Sequence, residues 1–145
     1  MDEIQLFELI QKCKHLRFKH VGIFAADNFP NLIPNNTFII VNASNSDSVG
    51  THWLLIANVC SKYYFADPLG YPFNYYKIIH EHMLERNVVF EILKDFPIQP
   101  WDSTLCGLYC VYVAHILFLH DLKYFPIITD EQLLQFAKHM MQYFH

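Results

Sequence analysis

The run Gln99-Pro100-Trp101-Asp102-Ser103-Thr104-Leu105-Cys106-Gly107-Leu108-Tyr109-Cys110 sets a cysteine at the predicted start of an apolar helix, seven residues after a glutamine. Gly50-Thr51-His52-Trp53 opens one predicted strand, and Phe65-Ala66-Asp67-Pro68 closes the next. A thiol, an imidazole, a carboxylate and an amide donor are the groups a cysteine hydrolase uses. The thiolate is the attacking species, so the nucleophile's pKa must fall from roughly 8.5. A helix N-terminus favours negative charge at Cys106, and an imidazolium at His52 would lower the pKa further. Asp67 can accept from the other ring nitrogen and hold the tautomer. Gln99 can donate to an oxyanion beside the backbone N–H of Cys106. Trp53 and Gly107 are assigned to the substrate side: the indole shields the imidazole from water, and the glycine lets a substrate main chain come close.

Taken singly, each residue has a plainer reading. A cysteine on an apolar helix is commonly an inert core thiol, His52 a satisfied strand histidine, and Asp67 before Pro68 a turn opener. Gln99 is a loop glutamine with many conceivable duties, and Trp101 fills a niche as readily as it flanks a cleft. Cys110 lies one helical turn beyond Cys106 and is expected to pack inside; a C-x3-C pair, even with His115 and His120 nearby, is a poor zinc signature, so no metal is expected. Cys13 and Cys60 read as core or partly exposed thiols, and His80, His82, His139 and His145 as solvent-facing.

The elements that must position these groups are legible. Ile4, Phe7, Leu9, Ile10, Cys13 and Leu16 recur at helical spacing. Val21–Phe24 is short and apolar, a loop covers Asp27–Asn36, and Thr37–Ala43 reads as a buried strand. Polar Ser44–Gly50 is a loop. His52–Val59 and Lys62–Asp67 read as strands joined by a tight hairpin without the favoured Asn-Gly pair. In that hairpin His52 and Asp67 leave the same end of the sheet. Asn74–Arg86 is helical and Val88–Leu93 a strand. Leu105–Leu119 is a buried helix capped by Asp102, Ser103 or Thr104. Thr129 and Gln132 form a capping box that opens a helix to about Phe144. The pattern predicts an α+β fold with a mainly antiparallel sheet.

The 145 residues suit one domain, 1–145. At 53% hydrophobic and 17% aromatic the chain has ample core material, which excludes disorder, and some aromatics are expected to line a groove. A net charge of −4 provides no basic footprint, so nucleic acid is expected to bind weakly or as an accessory at most. The start Met1-Asp2-Glu3-Ile4 is unlike a signal peptide, and no apolar run is long enough to span a bilayer, so no membrane partner is expected. A reducing compartment with free thiols is expected rather than secretion.

The order His52-Trp53, Asp67, Gln99, Cys106-Gly107 resembles the adenain-like and Ulp1-like cysteine proteases over roughly Val21 to His120. The resemblance implies that His52, Asp67 and Cys106 form the triad, and that Gln99 completes the oxyanion hole. It also implies a circularly permuted relative of the papain arrangement, with the Cys-bearing helix packed on the sheet. Phe24-Ala25-Ala26-Asp27, Ile40-Val41-Asn42 and Cys106-Gly107-Leu108-Tyr109-Cys110 lean towards the viral and Maverick/Polinton-type transposon enzymes. The acid here is Asp67, where the adenovirus enzyme has Glu. The chain is short, so the adenoviral peptide and DNA cofactors are not carried over; a peptide activator stays open as a partner. The implied substrates are precursor proteins of a DNA virus or virus-like transposon with glycine near the cut, in host nucleus or cytoplasm and virion. The alternatives are a ubiquitin-like-modifier isopeptidase and a catalytically silent binding module.

Overall fold

The computed structural model describes residues 2–30, 32–43, 52–91, 98–99, 105–119 and 128–142. Helix α1 (Glu3–Lys12) is followed by strands β1 (His20–Ala25), β2 (Thr37–Asn42), β3 (Trp53–Val59) and β4 (Lys62–Ala66). A 3-10 turn (Phe73–Tyr75), α2 (Lys77–Leu84), β5 (Phe90–Glu91), α3 (Cys106–Leu119) and α4 (Asp130–Gln142) complete the order. The strands form one sheet in the order β1-β2-β3-β4-β5. The α+β class is as expected, but the sheet is mixed rather than mainly antiparallel. Its two inner pairings are antiparallel, and its two outer ones, β1 with β2 and β4 with β5, are parallel. Local alternation cannot reveal this, because strand direction depends on connections that cross over the sheet.

Period-two alternation divides the core between two faces. Phe38, Ile40, Trp53, Leu55 and Ala57 pack with α1, α3 and α4 residues such as Leu6, Tyr109 and Leu133. Ile39, Val41, Leu54 and Ile56 pack with Ile79 and Met83 of α2. Strand β3 is buried along all seven residues, as expected of a central strand covered on both faces. Helix α3 is apolar on every side, and Cys106–Ala114 is buried throughout. It therefore lies inside the molecule, not across its surface.

The hairpin between β3 and β4 turns through Cys60 and Ser61, both with positive φ (52° and 66°), the two-residue turn that matches strand twist. No glycine relieves that conformation. Instead Asn36 Oδ1 accepts from the Cys60 N–H at 3.0 Å and Asn35 Oδ1 from the Ser61 N–H at 2.7 Å. The other local departure is at Asn74–Arg86, where one helix was expected. The helical run breaks at Tyr76, whose backbone is extended (φ −94°, ψ 91°), and α2 starts after it.

Both terminal helices are capped reciprocally. Asp2 and Gln5 exchange side-chain and backbone hydrogen bonds at α1. Thr129 and Gln132 do so at α4, at 2.9 and 3.1 Å, as the spacing predicts. The Ser44–Gly50 loop, Trp101, the caps Asp102, Ser103 and Thr104, Ile92 and Leu93, His120, Phe144 and His145 lie outside the described residues. None of the four cysteines is in a disulfide. Among the described residues, no helix is long and apolar enough to cross a membrane.

Candidate active site

The hairpin register sets up the first pair. Leu55 is opposite Ala66 in the antiparallel ladder. One residue beyond Ala66 lies Asp67, and His52 immediately precedes β3, so both emerge from one end of the sheet. There His52 Nε2 meets Asp67 Oδ1 at 2.7 Å. A carboxylate only accepts, so Nε2 carries the proton and Nδ1 is the nitrogen left for other work.

Asp67 is 2% exposed, so its charge must be satisfied inside the protein. Besides His52, Oδ1 accepts from the Leu69 N–H at 2.9 Å, and Oδ2 accepts from the Tyr76 hydroxyl. The turn is closed by the Gly70 N–H on the Asp67 carbonyl at 2.8 Å, with Gly70 at φ 88°, where its missing Cβ removes the strain. The Pro68 carbonyl of the same turn accepts from the N–H groups of Ile98 and Gln99 at 3.0 and 2.9 Å. The turn that carries the acid thus also anchors Gln99, which is 5% exposed.

Cys106 begins α3 and is 3% exposed. The N–H of Trp53 donates to its Sγ at 3.4 Å, and one turn later Cys110 Sγ donates to the Trp53 carbonyl at 3.3 Å. The two backbone polar groups of Trp53 therefore grip the first turn of α3, and the residue before Trp53 is His52. Burial is the largest influence on the Cys106 thiol and raises its pKa. The His52 side chain, the Trp53 N–H, the imidazolium charge and the Gly107 N–H together outweigh it and leave the pKa lowered. Burial likewise pushes His52 down, but hydrogen bonds and charge from Asp67 and Cys106 carry it up to about 9. Both shifts favour the thiolate–imidazolium pair.

The structure therefore brings His52, Asp67 and Cys106 together and ties Gln99 to the acid's turn. Trp53 and Gly107 lie against each other. Both are buried, and a Cβ on Gly107 would lie 3.0 Å from Trp53 Cδ1 and 3.4 Å from the Leu6 methyls. The indole therefore packs against the side of the residue where a Cβ would stand. Tyr76 was missed. Inside a stretch with helical spacing it looks like any other helix residue, and no local signal marks it.

His80 and His82, expected in solvent, are half-buried against Phe73 and Phe29. A cavity of about 390 Å³ lies on the acid's side of the site, edged by Asp67 and walled by Phe65, Tyr71, Phe73 and Phe90. Part of the aromatic excess lines this cavity.

A polarised thiol, an imidazole held by a carboxylate and an anchored amide fit a thiol-dependent hydrolase. The sequence profile of the adenovirus endoprotease family matches residues 20–135, a span that includes all of these groups. The chain belongs to that family and is accordingly a cysteine endopeptidase in its general class. No individual curated protein matches it.

Proposed function

We propose that the chain hydrolyses peptide bonds by nucleophilic catalysis at Cys106. The observation that carries this reading is geometric: the His52 ring is held by Asp67 at 2.7 Å, and the thiol that begins α3 takes the N–H of the next residue, Trp53. The lowered Cys106 thiol and raised His52 imidazole agree with it. The Cys106 thiolate adds to the scissile carbonyl, and the oxyanion is met by the Cys106 backbone N–H and the Gln99 amide. Collapse of the tetrahedral adduct breaks the C–N bond. His52 gives its proton to the departing amine, leaving a thioester on Sγ. Water then attacks the thioester with His52 taking its proton. The carboxylic acid leaves and the thiolate–imidazolium pair returns. Asp67 orients the ring throughout, through its 2.7 Å contact with Nε2.

The chain order His52, Asp67, Cys106, with the thiol on the last of the three, supports reading the fold as a permuted papain-like arrangement. Family membership supports precursor proteins of a DNA virus or virus-like transposon as substrates, cut near glycine. Four cysteines outside any disulfide fit a reducing compartment.

The test is product mass spectrometry. The wild-type chain and Cys106→Ala are incubated with precursor proteins encoded beside it and with a Gly-Gly-terminated ubiquitin-like fusion. Cysteine-dependent cuts in the precursors support the proposal. Cleavage of the fusion alone would replace it with a modifier isopeptidase. Cutting of neither, with Cys106 alkylated no faster than Cys60, would leave a binding module.

A further inference from the structure

We propose that Tyr76 is a positioning residue of this site: its hydroxyl fixes the plane of the Asp67 carboxylate so that Oδ1 faces His52. The inference rests on the triad reading above and deepens it.

The argument starts from how the acid's lone pairs are divided. Oδ1 takes both N–H donors, His52 Nε2 at 2.7 Å and Leu69 N at 2.9 Å. Rotation about the Cβ–Cγ bond of aspartate is soft and broad, and these two donors restrain it at one edge of the carboxylate alone. A donor on the other oxygen restrains the second edge and so completes the hold on the plane, and Tyr76 supplies it at Oδ2. Burial, then the hydrogen bond and charge of Asp67, push the phenol pKa well above its usual value. The hydroxyl therefore stays a donor across any working pH.

The ring itself is held in place. It lies edge-on to Tyr75 at 5.1 Å between centroids, tilted against Phe65 at 6.1 Å and nearly parallel to the His52 ring at 6.4 Å. Its backbone is the joint between the 3-10 turn and α2, where the Tyr76 N–H reaches the Phe73 carbonyl and its own carbonyl accepts from His80. The interruption of the expected helix is thus also what aims this side chain at the acid.

Tyr76→Phe removes the hydroxyl and keeps the ring. Expected are a roughly tenfold loss of kcat, as suits one hydrogen bond to a charged group, and an unchanged KM for peptide. The alkaline limb of the kcat/KM profile should fall from about 9, because a turning carboxylate supports the imidazolium less well. In the Asp67→Asn background the same change should cost almost nothing more, since the group it positions is already gone. An unmoved or raised limb, or losses that simply add in the double variant, would overturn the inference, as would a lowered melting temperature with wild-type kcat. If Asp67→Asn shifts the limb and Tyr76→Phe does not, only this inference fails. If neither shifts it, the triad reading fails as well.

Discussion

Cys106 and Cys110 sit one turn apart on α3, both buried, both hydrogen-bonded to the backbone of Trp53, and they end in opposite electrostatic states. Burial raises both thiols. At Cys110 nothing opposes it, and the negative charges of Cys106 and Asp67 raise it further, to well above the ordinary value. At Cys106 the donors reverse the result. Trp53 makes the contrast plain: it presents its N–H to one sulfur and its carbonyl to the other, so one sulfur accepts and one donates. Being at a helix start is therefore only part of what activates a thiol; direction of the neighbouring dipoles and an imidazole partner do the rest.

Two histidines repeat the lesson. His20 opens β1 between Phe7 and Phe38, and burial lowers it to about 4 despite a hydrogen bond with Gly22. His52, just ahead of β3, is also partly buried, yet it is raised to about 9 because a carboxylate and a thiolate face it.

The sharpest break is to remove the activated sulfur. Cys106→Ala should lower kcat/KM by at least ~10⁴-fold with little change in melting temperature. Measurable turnover close to wild type would end the assignment. His52→Ala should cost about 10³-fold and should also slow iodoacetamide alkylation of Cys106 near neutral pH, moving its reactivity towards that of Cys110. If Cys106 alkylates unchanged, the imidazole is not what lowers it.

The pH profile follows from the two shifts. Activity needs ionised Cys106 and protonated His52. It should therefore rise as pH climbs through the lowered thiol pKa, hold, and fall as pH passes about 9. An alkaline limb near 6.5 would mean that Asp67 and Cys106 do not support the ring.

Gly107→Ala forces a Cβ to 3.0 Å from the indole and should destabilise the fold by about 1–3 kcal/mol, read by denaturant unfolding. It should also reduce activity, because Trp53 carries the N–H donor to Sγ. Cys110→Ala has the smallest effect. It removes one weak donor, costs about 1 kcal/mol and leaves kcat/KM near wild type. A large activity loss there would erase the distinction between the two cysteines.

Much of the site could be read before any coordinates because its chemistry is local in sequence. The hairpin made of His52–Val59 and Lys62–Asp67 was legible from short apolar runs with one tight turn between them. It brings His52 and Asp67 to one end of the sheet, whatever the rest of the chain does. The Thr129–Gln132 cap and the buried α3 were legible for the same reason, since capping and hydrophobic content are properties of a few consecutive residues. The parallel pairings of β1 and β5 were not legible, because pairing direction is settled by crossovers and not by strand composition. Nor was the left-handed Cys60-Ser61 turn, which is held by Asn35 and Asn36 from another part of the chain.

Residue types and spacing by themselves determined that a thiol, an imidazole, a carboxylate and an amide would occur in this order on a helix start, two strand ends and a loop. Tertiary structure alone decided how those groups are tuned. One dipole that lowers Cys106, the Trp53 N–H, comes from a strand 53 positions away, the hydroxyl on Asp67 comes from the break before α2, and Trp53 and Gly107 became packing partners. Electrostatic tuning falls off over a few ångströms in space, and that spatial neighbourhood exists only once the sheet and helices have packed.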